Sequence, residues 1–227
     1  MIRIRTYACL FLSLTGLTLA FVGCAVTSSY EKKYYILEAA REGPPGTVRT
    51  NATLRVRRFN VDVAFAGKGL VYRVGEFRYE TDFYHEFLVS PGVMIAERTR
   101  DWLADSGLFA RVLPVGSPLE PAYALEANVT AMYGDFTNKS APAAVMEIRF
   151  FLLSSRDAGQ SVVFAQTYRA AAPLPARTAD ALVGALSKDL AEILTRLEAD
   201  LEKVLAGKSA EPAPAAPTQK PQNSPPT

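Results

Sequence analysis

Histidine occurs once in this sequence of 227 residues, at His85, and cysteine twice, at Cys9 and Cys24. A single imidazole cannot build a histidine-based metal cluster, and zinc sites need several thiolates or imidazoles together. A G-x-S-x-G nucleophile elbow, a P-loop and a Rossmann glycine fingerprint are all missing. Charge of one sign is missing too: 25 Lys and Arg stand against 23 Asp and Glu. Nucleic-acid binding needs a basic surface that displaces counterions, so this balance argues against it. There is also no apolar run of the roughly 20 residues that a membrane-spanning helix requires. Asp62, Glu76, Glu80 and Asp82 could pair as acid and base. They alternate along strand-like sequence, however, and read as solvent-facing charge, while His85 in "DFYHEF" reads as a surface or strand-end residue. No enzyme, cofactor or metal site is expected.

What is present begins at the N-terminus. Arg3 and Arg5 precede a charge-free run of 14 residues, Ala8 to Phe21, and small Gly23 closes it. A basic start, a short apolar stretch and a small residue at the junction are the parts of a bacterial secretory signal. "FVGC" (Phe21 to Cys24) is similar to the bacterial lipobox, which implies cleavage before Cys24 and lipidation of its thiol. Acyl chains supply membrane affinity of about 0.8 kcal/mol per buried CH₂. Ala25, rather than Asp, follows the cysteine, which in such lipoproteins implies delivery to the outer membrane, on its periplasmic face. Losing Cys9 and acylating Cys24 leaves no free thiol, which suits an oxidising periplasm. The loss of Arg3 and Arg5 also brings the mature charges to 23 against 23.

Four parts are expected: a signal peptide (1–23), a lipidated leash (24–31), one folded domain (32–206) and a disordered tail (207–227). The tail, "GKSAEPAPAAPTQKPQNSPPT", is rich in Pro and Ala and has no large apolar residue with which to offset ordering entropy. Within the domain, Ser90 to Gly107 has Ser at the N-cap, Pro91 at the first helical position and Gly107 as a stop. Its face is Ile95, Thr99, Trp102 and Leu103. A longer helix, Thr178 to Gly207, carries a continuous stripe of Leu182, Leu186, Leu190, Ile193, Leu194, Leu197, Leu201 and Val204. Thr178 can cap it, and Glu192 and Arg196 form an i,i+4 pair on its polar side.

Strands show period two: "YYIL", "TLRVRRFNVDV", a hairpin in "GLVYRVGEFRYETDFY" turning at Gly75-Glu76, then "LFARVLPV". Three long segments follow, "YALEANVTAMYGDF", "AAVMEIRFFLLSS" and "SVVFAQTYRAA", the last two joined by "RDAGQ". In Thr53 to Val63 the apolar phase slips from Leu54 and Val56 to Phe59, Val61 and Val63, predicting a bulge near Arg57 and Arg58. The expected class is α+β, a mixed and largely antiparallel sheet with two main helices.

In this order the segments resemble the ABC-type transport auxiliary lipoproteins, the family of the lipoprotein of the paraquat-inducible Pqi system. The resemblance runs from about Tyr34 to Leu205. It rests on Tyr35 and Leu37, Tyr72 and Arg73, Phe83 and Tyr84, and Gly107 to Phe109. The family often has an Arg-Trp pair before the first long helix, where this chain has Phe87 and Leu88. The resemblance implies a fold akin to the N-terminal domain of the periplasmic TolB protein. It also implies a subunit of Mce-type transport systems, which move phospholipid or other hydrophobic compounds between membranes. Partners would be a periplasmic Mce-domain protein and an ABC permease and ATPase, with a homo-oligomer allowed. A second reading is an outer-membrane assembly lipoprotein of the lipopolysaccharide-machinery type. Interfaces concentrate energy in aromatic and Arg residues, so Tyr72, Arg73, Phe83, Tyr84 and Phe87 are the candidate interaction residues, with Arg73 and Tyr84 foremost.

Overall fold

A computed structural model describes residues 31–155 and 161–209. The expected signal segment, Cys24 with residues 25–30, the "RDAGQ" loop and the tail from residue 210 lie outside the described residues.

The longest strand, β7 (Tyr123–Asp135), organises the sheet; it alternates from Leu125 to Thr130 and is buried almost continuously at both ends. Leu125, Ala127 and Val129 point into the core, while Glu126, Asn128 and Thr130 face the other way. One edge of β7 is covered by β8 (Ala143–Ser154), which pairs in turn with β9 (Ser161–Ala170), both antiparallel. The other edge takes three short strands end to end, all parallel to it: β2 (Thr53–Val56), β3 (Asn60–Val61) and β4 (Gly69–Arg73). Beyond them, β6 (Arg111–Leu113) lies parallel to β2, β5 (Tyr79–Phe87) antiparallel to β4, and β1 (Lys33–Tyr35) parallel to β5. Among the described residues the result is a mixed sheet of nine strands in an α+β fold. The parallel pairings run only two or three residues each, whereas the antiparallel ladders of β8 are long.

The stretch expected to be one bulged strand is two strands. Val56 and Phe59 are both buried although three residues apart, and a period-two strand cannot put both on one face. The chain therefore leaves the sheet at Arg57 and Arg58 and re-enters at Asn60. Val63, expected on the inner face, is instead 92% exposed. It begins a 3-10 turn (Val63–Phe65) whose start is capped by the Asp62 carboxylate accepting the Ala64 N–H at 3.0 Å. The turn swings Phe65 inward in its place.

Helix α1 (Pro91–Asp105) buries Ile95, Thr99, Trp102 and Leu103. Ser90 holds the N-cap position, but its side chain makes no cap bond; its carbonyl accepts the Val93 and Met94 amides instead. Gly107 follows with φ of +69°, the left-handed turn that glycine adopts at low cost. There it meets Gly46 backbone to backbone, and a Cβ on Gly46 would sit 2.0 Å from the Ser106 carbonyl oxygen. Helix α2 (Ala179–Ser209) begins where Thr178 Oγ1 accepts the Ala181 N–H at 3.2 Å. It continues two residues past the expected stop at Gly207. Its stripe from Leu182 to Leu201 is fully buried, but Leu205 rather than Val204 completes it. No helix among the described residues is long and apolar enough to cross a membrane. α2 packs on β8 and β9, and α1 on β2, β3, β6 and α2. Glu198 ties the layer to the segment after β1, accepting the Trp102 indole N–H at 2.8 Å and the Arg41 guanidinium at 3.0 Å.

Candidate functional site

The aromatic-rich hairpin of β4 and β5 contains a break in register. Gly69 pairs with Glu86 and Val71 with Thr81, so Leu70 alone faces the four residues from Asp82 to His85. A bulge of this size leaves amide N–H groups without ladder partners, and Asp82 supplies them. One carboxylate oxygen, Oδ1, accepts the Tyr84 N–H at 2.9 Å and the His85 N–H at 3.0 Å. The other, Oδ2, accepts the Tyr72 hydroxyl at 3.0 Å and lies 2.9 Å from His85 Nδ1. Burial alone would raise the Asp82 carboxyl, but these donors outweigh it and hold it below its ordinary value. Burial, and next the Asp82 charge, push the Tyr72 hydroxyl well above its usual range. Gly69 permits the close approach: a Cβ there would lie 2.6 Å from the Asp82 carbonyl oxygen.

The bulge turns two aromatic rings outward. Phe83 is 67% exposed and Tyr84 is 39% exposed, their rings edge to face at 5.2 Å. Lys32 Nζ sits 4.4 Å from the centroid of Phe83 and also pairs with Glu86 at 2.6 Å. At the far end of the hairpin, the loop between Val74 and Arg78 closes on the Val74 N–H to Arg78 carbonyl bond of 2.9 Å. It presents Phe77, which is almost fully exposed. Tyr79 is half exposed yet anchored, edge-on to Tyr133 at 5.5 Å.

The other candidates behave differently. Tyr72 is half-buried and stacks on Phe136 at 5.4 Å, so it supports the hairpin from beneath. Arg73 spends its guanidinium within the chain, on the Glu76 carbonyl at 3.2 Å and the Asp135 carboxylate at 3.5 Å. Phe87 is 1% exposed and belongs to the core; β1 covers it from the next strand, with Tyr35 in register. The expectation that Phe87 is a contact residue is therefore corrected. Asp82, read from sequence as solvent-facing charge, is the group on which the bulge is built. The arrangement can bind through apolar and aromatic contact. Asp82 and His85 share a hydrogen bond, but Asp82 is already committed to two amides and a hydroxyl.

A family model described as "ABC-type transport auxiliary lipoprotein component" matches residues 34–198. No curated protein matches this chain. Among solved structures, a Xanthomonas campestris protein of the DUF330 family is similar, with a TM-score of 0.69 at 20% identity. That match covers 79% of this chain and 100% of the other. A second structure, of an uncharacterised protein, gives a TM-score of 0.60 at 16% identity, covering 75% of this chain and 99% of the other. At such identities the likeness establishes the fold.

Proposed function

Since the chain belongs to the ABC-type transport auxiliary lipoprotein family, we propose that it is a non-catalytic subunit that docks onto an Mce-type ABC transport system. In this reading Cys24 carries the acyl anchor that holds it on the periplasmic face of the outer membrane. The system it serves moves phospholipid or other hydrophobic compounds between the two membranes. The partner is the periplasmic Mce-domain protein, with the ABC permease and ATPase beyond it.

The observation that carries this reading is the bulge stitched by Asp82. Exposed aromatic rings cost solubility unless they are used, and interface hot spots are enriched in Tyr, Trp and Arg. Here the fold spends a glycine, a partly buried carboxylate and a half-buried tyrosine to hold Phe83 and Tyr84 outward. Tyr84 and Phe83 are the contact residues, Phe77 extends the surface, and Arg73 and Tyr72 hold the hairpin in shape.

The test is capture of the Mce-domain protein by tagged chain under mild crosslinking. Tyr84→Ala combined with Phe83→Ala should leave the melting curve and the membrane fraction unchanged and cut partner recovery about tenfold, the equivalent of roughly 1.4 kcal/mol. Recovery at the unmodified level would place the docking surface elsewhere on the domain.

A further inference from the structure

A second feature lies on different elements. Between α1, the β2–β3 break and the loop after β6 runs a groove of about 710 Å³, within the size range of ligand pockets. Val56, Val93, Ala96, Val115 and Phe151 give it apolar walls. Val93 and Val115 are exposed there, Val115 by three quarters of its surface.

Four arginines line the same groove, Arg55, Arg57, Arg58 and Arg100, against two carboxylates, Glu97 and Glu126. Both carboxylates are already engaged. Arg57 pairs with Glu126 at 2.5 Å and Arg100 with Glu97 at 2.8 Å. Arg55 donates to the carbonyls of Ser117, at 2.9 Å, and Leu119, which fix its direction without cancelling its charge. Its Nε is buried and has no hydrogen-bond partner among the described residues. Arg58 is exposed and forms no ion pair with any described residue. Two positive charges are thus left over beside an apolar trough.

We propose that this groove binds a single-chain anionic amphiphile, an acyl chain ending in a carboxylate or phosphate. The chain lies along Val56, Val93 and Val115, and the head group meets Arg55 and Arg58. Apolar walls alone would accept any hydrophobic molecule, and arginines alone any anion. Their adjacency selects a molecule that has both parts, and guanidinium pairs well with either head group. This goes beyond the docking role and does not depend on it, because the groove shares no residue with the β4–β5 hairpin.

The test uses membranes containing the full chain and a diazirine-bearing long-chain fatty acid, with labelled peptides mapped by mass spectrometry. Labelling is expected on the peptides carrying Val93 and Val115. The methyl ester of the same probe should label them about tenfold less, as should Arg58→Glu, each losing one charge-assisted contact. Val93→Glu should label about tenfold less because it sets a carboxylate against the acyl chain. Both substituted positions are at the surface, and an unchanged melting curve checks that the fold is intact. Phe83→Ala with Tyr84→Ala should label as the unmodified chain does. Competition by oleate or by a lysophosphatidate supports the proposal, and the stronger competitor identifies the head group. Labelling confined to other peptides, equal labelling by the ester, insensitivity to both substitutions, or full displacement by inorganic phosphate would each overturn it.

Discussion

At the scale of single residues, a partly buried carboxylate and a fully buried one behave in opposite ways. Asp82 is held ionised by two backbone amides and the Tyr72 hydroxyl, which donate to it, with His85 Nδ1 2.9 Å away. Asp189 sits inside the apolar stripe of α2, 1% exposed, and neither oxygen has a hydrogen-bond partner of good geometry among the described residues. Burial pushes its carboxyl up to about 7 from 3.8, the Ala172 amide drawing it back only in part and the Glu192 charge adding to the rise. Its folded pKa thus lies above its unfolded one. The fold holds the proton that the unfolded chain releases, and stability falls as pH rises between about 4 and 7. Above that window the full penalty is present. Asp189→Asn should therefore raise the melting temperature at pH 8 by several degrees, on the order of 2 kcal/mol or more, and change it little at pH 4. Differential scanning calorimetry at the two pH values checks this. An equal gain at both would mean that polarity, and not charge, is the cost.

At the scale of elements, α2 is the piece on which the domain depends. Leu186, Leu190, Ile193, Leu194, Leu197 and Leu201 are all buried to 1% or less against β8 and β9. Leu194→Asp would bury an unpaired carboxylate in the middle of that contact, which is far costlier than losing a methyl group. The domain should lose several kcal/mol and fail to accumulate; denaturant melts and periplasmic yield measure it. An unchanged melt would mean that the stripe faces a dissociable partner. Much of this element was legible beforehand, since a leucine repeat at helical spacing has one physical reading. The split of β2 from β3 was only half legible. The phase slip at Arg57 and Arg58 was visible, but a bulge and a break produce the same slip. What decided between them was the edge of β7, along which β2, β3 and β4 follow one another.

At the scale of the whole molecule, the chain has an expected membrane end and a folded domain with two proposed working surfaces. The hairpin of β4 and β5 presents aromatic rings, and the groove beside α1 presents arginines over apolar walls. The anchor makes a separate prediction. Cys24→Ala removes the thiol that acylation and lipoprotein-type cleavage both need, so the chain should lose metabolic fatty-acid label and leave the outer-membrane fraction. Label retained on that variant would sink the lipobox reading. Because the domain of residues 34–198 matches the family model without the N-terminal segment, its melting temperature should not change.

Local pattern was sufficient for the α+β class, for both helices and their buried faces, and for most strand positions. Each of those follows from the spacing of apolar residues and from capping and turn chemistry within one segment. The site was less legible. The sequence offers Phe83 and Tyr84 on the same footing as Phe87, because alternation alone cannot say which way a strand faces once its register is broken. Only the pairing of Leu70 against four residues of β5 turns Phe83 and Tyr84 outward and leaves Phe87 in the core. Asp82 and Asp189 were both open to misreading for the same reason. A carboxylate's state depends on the donors and the water around it, and those are set by pairing and packing: for Asp82 the bulge that turns the nearby Tyr84 and His85 amides and Tyr72 toward it, for Asp189 the sheet beneath α2. The groove is the extreme case, since Arg58, Val93 and Val115 meet only where three separate elements come together.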